Sequence, residues 1–482
     1  MKKNFSANLL FLLFLNLLIK PVYLFGIDVG IQNEVGAEEY GLYYAMFNFT
    51  FLFNVLLDMG INNFQKIKVA ENERLGLSNM EILVPLKLIL AGAYFIVTIA
   101  VAVLLGFEGR YWFFIVWLMV NHVLSAFLLL LRANLSGLHL FFRDSIVSVI
   151  DRLLLVFVIG YLLWIGKQEF HIEYLVLLQT AAYSVAIAVA YAMTPSGSRF
   201  FSMNFSMNSM RKMVANTWPY ALLILLMTAY NKLDGVMLER LATDGLRQAG
   251  FYAQAYRIID AGNSFAFLYA GMLLPMFSRL IREKTAVELN VIIDQGARFL
   301  IIPAGLATVI AYFHGYWFMD LLYTQGVDES SLAFTWLMGS FFFICIGYVF
   351  GTLLTASQNL TLLNWIAFAA VVINFSLNVI LIPTFGAEGA AIASFSSLAV
   401  MAVAQFTVTM KQGLIKSSSW ILRGAVCWFI VIGAGLIIAD RTWNESQQLL
   451  VLGLVALLCY IIVGLKRADM SIARSSDGQG NK

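Results

Sequence analysis

The chain has 482 residues, 61% of them hydrophobic and 12% charged, with a formal net charge of +3. A soluble domain carries roughly a quarter charged residues, and here the deficit runs along the whole length. That excludes a soluble protein with a single anchor and points to an all-α integral membrane protein.

The first six residues, MKKNFS, precede an apolar run, as in a signal peptide. No small-residue cleavage site follows, and Lys20-Pro21 interrupts the run, so the segment reads as an uncleaved first helix over 7–27. Further apolar stretches of about twenty residues, each long enough to cross a bilayer, cover 40–60, 82–105, 111–131, 145–165, 172–193, 215–238 and 249–273. The rest are 296–314, 332–354, 362–382, 387–409, 420–439 and 448–465. The total is about 14 transmembrane helices.

In the first span Lys20 is unusual, because a lysine at the bilayer centre costs about 2.5–3.5 kcal/mol, and Pro21 beside it removes a backbone hydrogen bond. Asn16 lies one turn below on the same face. The second span carries Thr50, Asn54 and Asp58 at i, i+4 and i+8, one polar stripe. Lys87 in the third span lies a turn and a half from its inner end and is expected to snorkel to the headgroups. In the fifth, Asp144, Ser148 and Asp151 share a face, as a network joining helices or as part of a cavity wall. Arg152 points about 100° away from Asp151 and needs another partner. Lys232 (in TAYNKLDGV) and Arg257 (in YRIIDAGNS, with Asp260 at i+3) fall in the seventh and eighth spans. Lys20, Lys232 and Arg257 are all placed in the outer half of the membrane. Charges at such depth should face a watery cavity; the competing reading is ion pairing between helices, for example Arg257 with Asp260 or Asp58.

The aromatic runs YWFFIVW (111–117) and YFHGYWF (312–318) sit at predicted outer interfaces, where aromatic belts need no ligand. Cys345, Cys427 and Cys459 fall inside spans without metal-like spacing and read as packing residues. His122, His139, His171 and His314 are scattered and form no metal set.

With the N-terminus in the cytoplasm and sides alternating, twenty-one Lys and Arg fall on the cytoplasmic side, five in outer loops and five within spans. The bias matches the positive-inside rule and puts both termini in the cytoplasm. A missed or invented helix would invert it downstream.

The polar stretch TPSGSRFFSMNFSMNSMRKM (194–213) has a linker's composition and follows the sixth span. The segments on either side resemble each other. RANLSGLHLFFRDSIVSVIDRLLLVF (132–157) lies on TASQNLTLLNWIAFAAVVINFSLNVI (355–380) without a gap. YGLYYAMF (40–47) matches AGFYAQAY (249–256), pairing Gly41 with Gly250 and Tyr43 with Tyr252; Lys20 falls near Lys232. The predicted plan is two parallel six-helix lobes, 1–205 and 206–410, around a central cavity. Two extra helices (411–466) and a cytoplasmic tail (467–482) complete it.

A cavity with three cations suits an anion, and phosphate above all. No Gly-rich phosphate-binding loop is present and no outer loop exceeds about twenty residues by the span boundaries above. An enzyme is not expected, nor a cofactor, a metal or nucleic acid.

At EEYGLYYAMFNFTFLFNVLLDMGI (38–61), DSIVSVIDRLLLV (144–156), AGFYAQAYRIIDAGNSF (249–265) and NVILIPTFGAEGAAIASFSS (378–397) the chain resembles the polysaccharide-exporter family. These are O-antigen-type lipid-linked oligosaccharide flippases, within the multidrug/oligosaccharidyl-lipid/polysaccharide exporter superfamily. The resemblance spans roughly residues 1–410. It implies a V of two lobes around a cationic cavity in a bacterial cytoplasmic (inner) membrane. It also implies transport of a polyprenyl-diphosphate-linked oligosaccharide from the cytoplasmic to the outer face by alternating access, for cell-surface polysaccharide biosynthesis. Lys20, Lys232 and Arg257 match the family's cavity cations in kind, though the family is more often arginine-rich there. Asn16, Asn54, Asp58, Asp151, Arg152 and Asp260 are candidate cavity-polar or ion-coupling residues, for H+ or Na+. The competing functions are an ion-coupled multidrug exporter on the same fold and a non-transporting scaffold of a glycan-assembly complex.

Overall fold

The computed structural model describes residues 18–72, 77–166, 169–194, 206–415, 419–439 and 443–461. Among them the regular elements are all helical, and fourteen spans follow in order. α1 (18–35) and α2 (37–52) are separated at Gly36, whose φ of 82° and ψ of 167° interrupt the helix. α3 (Met80–Leu104), α4 (Tyr111–Gly137), α5 (Phe141–Trp164), α6 (Ile172–Met193), α7 (Met207–Leu241) and α8 (Gly245–Glu283) follow. Then come α9 (Ala286–Leu322) and α10 (Val327–Ala356). The long run Leu360–Lys411 is divided at Gly386 (φ 53°, ψ −127°) into α11 (360–385) and α12 (387–411). α13 (Ser419–Ala439) and α14 (Glu445–Cys459) end the series. Both dividing glycines open the same tripeptide, Gly-Ala-Glu, at 36–38 and 386–388. Their backbone angles are ones that only glycine adopts without strain.

Nine runs among the described residues are long and apolar enough to cross a membrane. Large apolar side chains such as Ile96 and Leu104 point outward from them, as lipid-facing residues do.

Three features depart from the sequence expectation. First, α1 continues to residue 35, well beyond the predicted end at 27. The polar stretch after residue 27 looked like a loop, but its Asp28 and Gln32 are buried and hydrogen-bonded inside the helix bundle. Lys20 is therefore sixteen residues, about 24 Å at 1.5 Å per residue, from the Gly36 end.

Second, α2 breaks after Leu52. Phe53 (φ −91°, ψ 0°) leads into one short turn, Val55–Asp58, which ends at Met59 (φ 44°) and Gly60 (φ 84°) before Ile61–Glu71. The stripe Thr50–Asn54–Asp58 is thus not one helical face. Third, Lys87 does not snorkel. Its side chain is 1% exposed, and it caps the broken α2, donating to the carbonyl oxygens of Leu57 and Ala126 and to Asp58 Oδ1, each at 3.2 Å.

Two π-helical segments each adjoin a proline. Val22–Asp28 follows Pro21, and Ala297–Ile301 precedes Pro303. Pro303 has no N–H and its ring crowds the turn before it, and the wider turn Ala297–Ile301 accommodates both effects.

The chain divides into two compact units. The first is Met1–Ala253 with Tyr323–Gln325, and the second is Gln254–Leu322 with Gly326–Lys482. The first has a core of α3, α4, α5 and α6, built on Leu83, Leu130, Leu131, Leu135, Val147 and Ala186. The second has one core of α8, α9 and α10, including Phe277, Ile301 and Phe350, and another joining α9 to α13 and α14 through Ile302, Cys427, Val431 and Cys459. All three cysteines are buried and free.

Candidate functional site

In the first unit Lys20, on α1, lies within electrostatic reach of Arg152, Asp151 and Arg132. α1 packs along α5, which supplies Asp151 and Arg152. Arg132, at the end of α4, donates through Nε to Asp144 Oδ1 at 2.8 Å. Asp144 is therefore a helix-joining carboxylate, and Ser148 bonds the Ser145 carbonyl oxygen of its own helix. The Tyr183 phenol from α6 stands in the field of Asp151, Arg152 and Tyr43. Tyr43 in turn accepts a 3.1 Å hydrogen bond from Gln179 Nε2. Three basic groups and two carboxylates thus share one neighbourhood within an apolar helical unit. Asn16 lies outside the described residues.

Lys232, on α7, belongs to the same compact unit. Its Nζ lies 5.9 Å from the ring centroid of Phe47 and 5.7 Å from that of Phe51. These two rings stack at 5.7 Å and both contact the His122 ring, at 5.3 and 5.4 Å. His122 is fixed by a 3.1 Å hydrogen bond between its Nε2 and Thr50 Oγ1. The lysine thus sits on an aromatic platform built by i, i+4 residues of α2, an arrangement that attracts a cation through the ring quadrupoles. Nine residues, about 14 Å, separate Lys232 from the C-terminal end of α7, against sixteen between Lys20 and Gly36.

Asp58 is ion-paired with Lys87, and Asn54 forms the turn that follows the α2 break, its backbone N–H bonded to the Phe51 carbonyl oxygen. In the second unit Arg257 Nη1 is 3.5 Å from Asp260 Oδ2.

The sequence reading missed two acids of the first unit. Asp28, on α1, accepts hydrogen bonds from the Tyr40 hydroxyl (2.8 and 3.0 Å to its two oxygens) and from Gln32 Nε2 (3.1 Å). Asp234, on α7, accepts one from the Tyr252 hydroxyl at 2.6 Å. Each unites an acid from the first helix of a repeat with a tyrosine from the helix that follows. Both carboxylates are at most 2% exposed. The signal was present as an acid flanked by apolar residues in GIDVG and KLDGV, but Asp28 stood beyond the predicted helix end.

At the α2 end of the same unit, Arg110 bridges two helices. It makes a bidentate pair with Glu39 (2.7 Å twice) and donates from Nε to Glu173 (2.8 Å). The hydrogen bonds to Glu39 foremost, then those to Glu173, hold its pKa above the usual arginine value.

The family model described as Polysaccharide biosynthesis protein matches residues 5–281. Over 266 residues the chain is 26% identical to an uncharacterized membrane protein of Methanocaldococcus jannaschii, covering 53% of this chain and 52% of that protein. The chain thus spans about half the length of that curated relative. Among solved structures, the lipid II flippase MurJ in an inward closed conformation superposes with a TM-score of 0.71 at 14% identity, covering 97% of this chain and 99% of that one. An inward-facing multidrug resistance MATE family transporter of the MOP superfamily gives 0.65 at 16% identity, over 82% of this chain and 94% of that one. At such identities the likeness is one of fold.

Proposed function

The chain belongs to the polysaccharide biosynthesis protein family, and from that premise we propose that it is a flippase for a polyprenyl-diphosphate-linked oligosaccharide. It carries this lipid from the cytoplasmic to the outer face of a bacterial inner membrane by alternating access, with both termini in the cytoplasm. The division into lobes at 205/206 is part of the same proposal.

The observation that carries the reading is the grouping of Lys20, Arg132 and Arg152 inside the first unit, with Asp144 and Asp151 as carboxylates among them. A membrane protein keeps such charge only where it has a use, because lipid does not solvate it. A diphosphate is a fitting anion: guanidinium forks grip its oxygens in pairs and lysine adds a point charge. Lys232 on its aromatic platform is assigned to the same role, and Arg257 is the proposed substrate-binding cation of the second unit. Asp58, Asp151 and Asp260 are the proposed carboxylates for H+ or Na+ coupling, and the buried pairs Asp28–Tyr40 and Asp234–Tyr252 join them. No step requires bond making or breaking by the protein, so no catalytic residue is assigned.

The test is a Lys20→Ala/Lys232→Ala/Arg257→Ala variant, expressed in a strain lacking the native chain and checked for membrane level. Loss of surface polysaccharide with lipid-linked precursor accumulating inside is expected. Undiminished surface polysaccharide at normal protein level would overturn the reading, in favour of a scaffold or of an exporter of other substrates.

A further inference from the structure

In the second unit, α9 and α13 bring two arginines onto one carboxylate. Arg298 Nη2 donates to Asp294 Oδ2 one turn earlier on α9. Arg423 Nη1, from the first turn of α13, is 3.8 Å from the same oxygen. Two guanidinium groups and one carboxylate give these three side chains together a net positive charge. Arg298 is 8% exposed, and its Nε–H is enclosed and meets no acceptor among the described residues.

The backbone holds this arrangement firmly. Arg298 sits in the π-helical turn Ala297–Ile301, whose wider path keeps Arg298 buried while Phe299 is left half exposed. α13 is clamped to α9 just beyond: the Trp428 indole N–H donates to the Ile302 carbonyl oxygen at 3.3 Å. The Trp428 ring also fills the space that a side chain at Gly305 would need. The Tyr460 phenol, at the end of α14, lies within electrostatic reach of Arg298. Arg423 near the start of α13 and Tyr460 just past the end of α14 lie at the same end of an alternating bundle.

What surrounds the arginines is apolar and outward-facing. Phe299, next to Arg298, is 51% exposed, and Leu422, next to Arg423, is 71% exposed. Residues of that kind on membrane helices meet acyl chains. The partly accessible edges of Arg423 and Asp294 therefore open beside lipid tails at a helix end, where headgroups lie. Basic pockets between helix ends are a known means of holding acidic headgroups.

We propose that Arg298 and Arg423 form a binding site for the phosphate of an anionic glycerophospholipid, with Asp294 as the internal counter-charge that spaces the two guanidinium groups. The occupant is a resident lipid and not transported cargo. The orientation proposed above puts the site in the cytoplasmic leaflet, but binding itself does not depend on that orientation or on the transport reading.

The full chain, purified in zwitterionic detergent, would be titrated with phosphatidylglycerol, phosphatidylcholine, inorganic phosphate or undecaprenyl phosphate. Lipid retention is read by native mass spectrometry and stability by thermal unfolding. Phosphatidylglycerol should be retained and raise the unfolding midpoint, and phosphatidylcholine and inorganic phosphate should not. Arg423→Gln should weaken retention by about five- to tenfold, near the loss expected for one basic contact. Arg423→Lys should lie between, and it serves if the Gln variant does not fold. Asp294→Asn separates the site from a merely structural ion network: removing the competing carboxylate should leave phosphatidylglycerol bound at least as tightly, even where basal stability falls. The proposal is overturned if Arg423→Gln or Arg423→Lys retains the lipid as wild type does. It is also overturned if Asp294→Asn releases the lipid, if inorganic phosphate reproduces the shift, or if undecaprenyl phosphate displaces phosphatidylglycerol at equal concentration. No outcome here reads glycan transport, so failure of this site and failure of the flippase reading are distinct results.

Discussion

Gly41 on α2 and Gly250 on α8 face each other across a crossing so close that neither tolerates a side chain. A Cβ at Gly41 would overlap the Leu246 carbonyl oxygen and come 2.8 Å from the Gly250 nitrogen, and a Cβ at Gly250 would overlap the Ala37 carbonyl oxygen. The contact is reciprocal: 37 against 250 and 41 against 246, each pair related by the same shift of 209 residues that aligns YGLYYAMF with AGFYAQAY. Residue i touching j while the equivalent of j touches the equivalent of i is the mark of a two-fold relation. Within the first unit these two segments thus pack reciprocally about their glycines.

Gly41→Ala and Gly250→Ala are therefore expected to destabilise strongly. The added methyl meets backbone, which cannot swing away as a side chain can, and the cost is about 3 kcal/mol or more, at or above the upper end for overpacking. Gly92 is also helical but has nothing within 4 Å of its would-be Cβ. Gly92→Ala should be neutral or stabilising by about 0.5–1 kcal/mol through helix propensity. Thermal unfolding of the three variants in one detergent decides it, and equal midpoints would refute the close crossing.

The number and order of the spans were legible because hydrophobic length and loop charge are local properties of a chain. The C-terminal end of the first helix was not. Polar residues in a membrane helix read as a helix end unless their partners are known, and Asp28 and Gln32 find theirs in each other and in Tyr40, twelve residues on from Asp28. The break in α2 was hidden for the opposite reason. Thr50, Asn54 and Asp58 have helical spacing, and only Lys87, almost thirty residues away, shows that the helix stops between them. The repeat offset was visible in Gly41 and Gly250, yet nothing local said that the matched glycines would touch. The aromatic platform under Lys232 was unread because Phe47 and Phe51 are ordinary in an apolar span.

Lys87 closes the broken end of α2 with three acceptors, and its removal should be costly. Breaking a buried ion pair destabilises by about 3–5 kcal/mol. Asp58 is one-third exposed, so Lys87→Met should cost less than that range, about 2–3 kcal/mol. Asp58→Asn keeps an oxygen for the lysine and should cost less than half as much. In a double-mutant cycle the two changes should couple, since each removes the same contact. Additive losses would mean that the lysine serves the Leu57 and Ala126 carbonyls alone.

The Arg110 bridge to Glu39 and Glu173 is close to half exposed at the arginine, so its good geometry counts for less than the distances suggest. Arg110→Ala should lower stability by about 1 kcal/mol or less, as exposed pairs do. The difference from wild type should shrink between low salt and 1 M, where the screening length falls to about 3 Å. A loss that is large and salt-independent would show that the side chain acts by packing on Phe114, with which it also makes a cation–π contact.

Glu239, just beyond the predicted seventh span, makes stability depend on pH. Burial raises its pKa above the ordinary 4.5, and the Arg240 charge and the hydrogen bond from Tyr111 only partly oppose that. The Tyr111 hydroxyl donates to Oε1 at 3.0 Å, while the Arg240 guanidinium lies 2.8 Å from Oε2. With the folded pKa above the unfolded one, folding takes up a proton in the interval between them. The contribution is fully present below the unfolded value and is lost as pH rises through the folded value. The unfolding midpoint of the wild type should therefore fall as pH climbs from about 4.5 through the raised pKa. Glu239→Gln cannot ionise but still offers Tyr111 an oxygen, so it should flatten that slope and be the more stable protein at neutral pH. Parallel midpoint curves for the two proteins would place the pH dependence elsewhere.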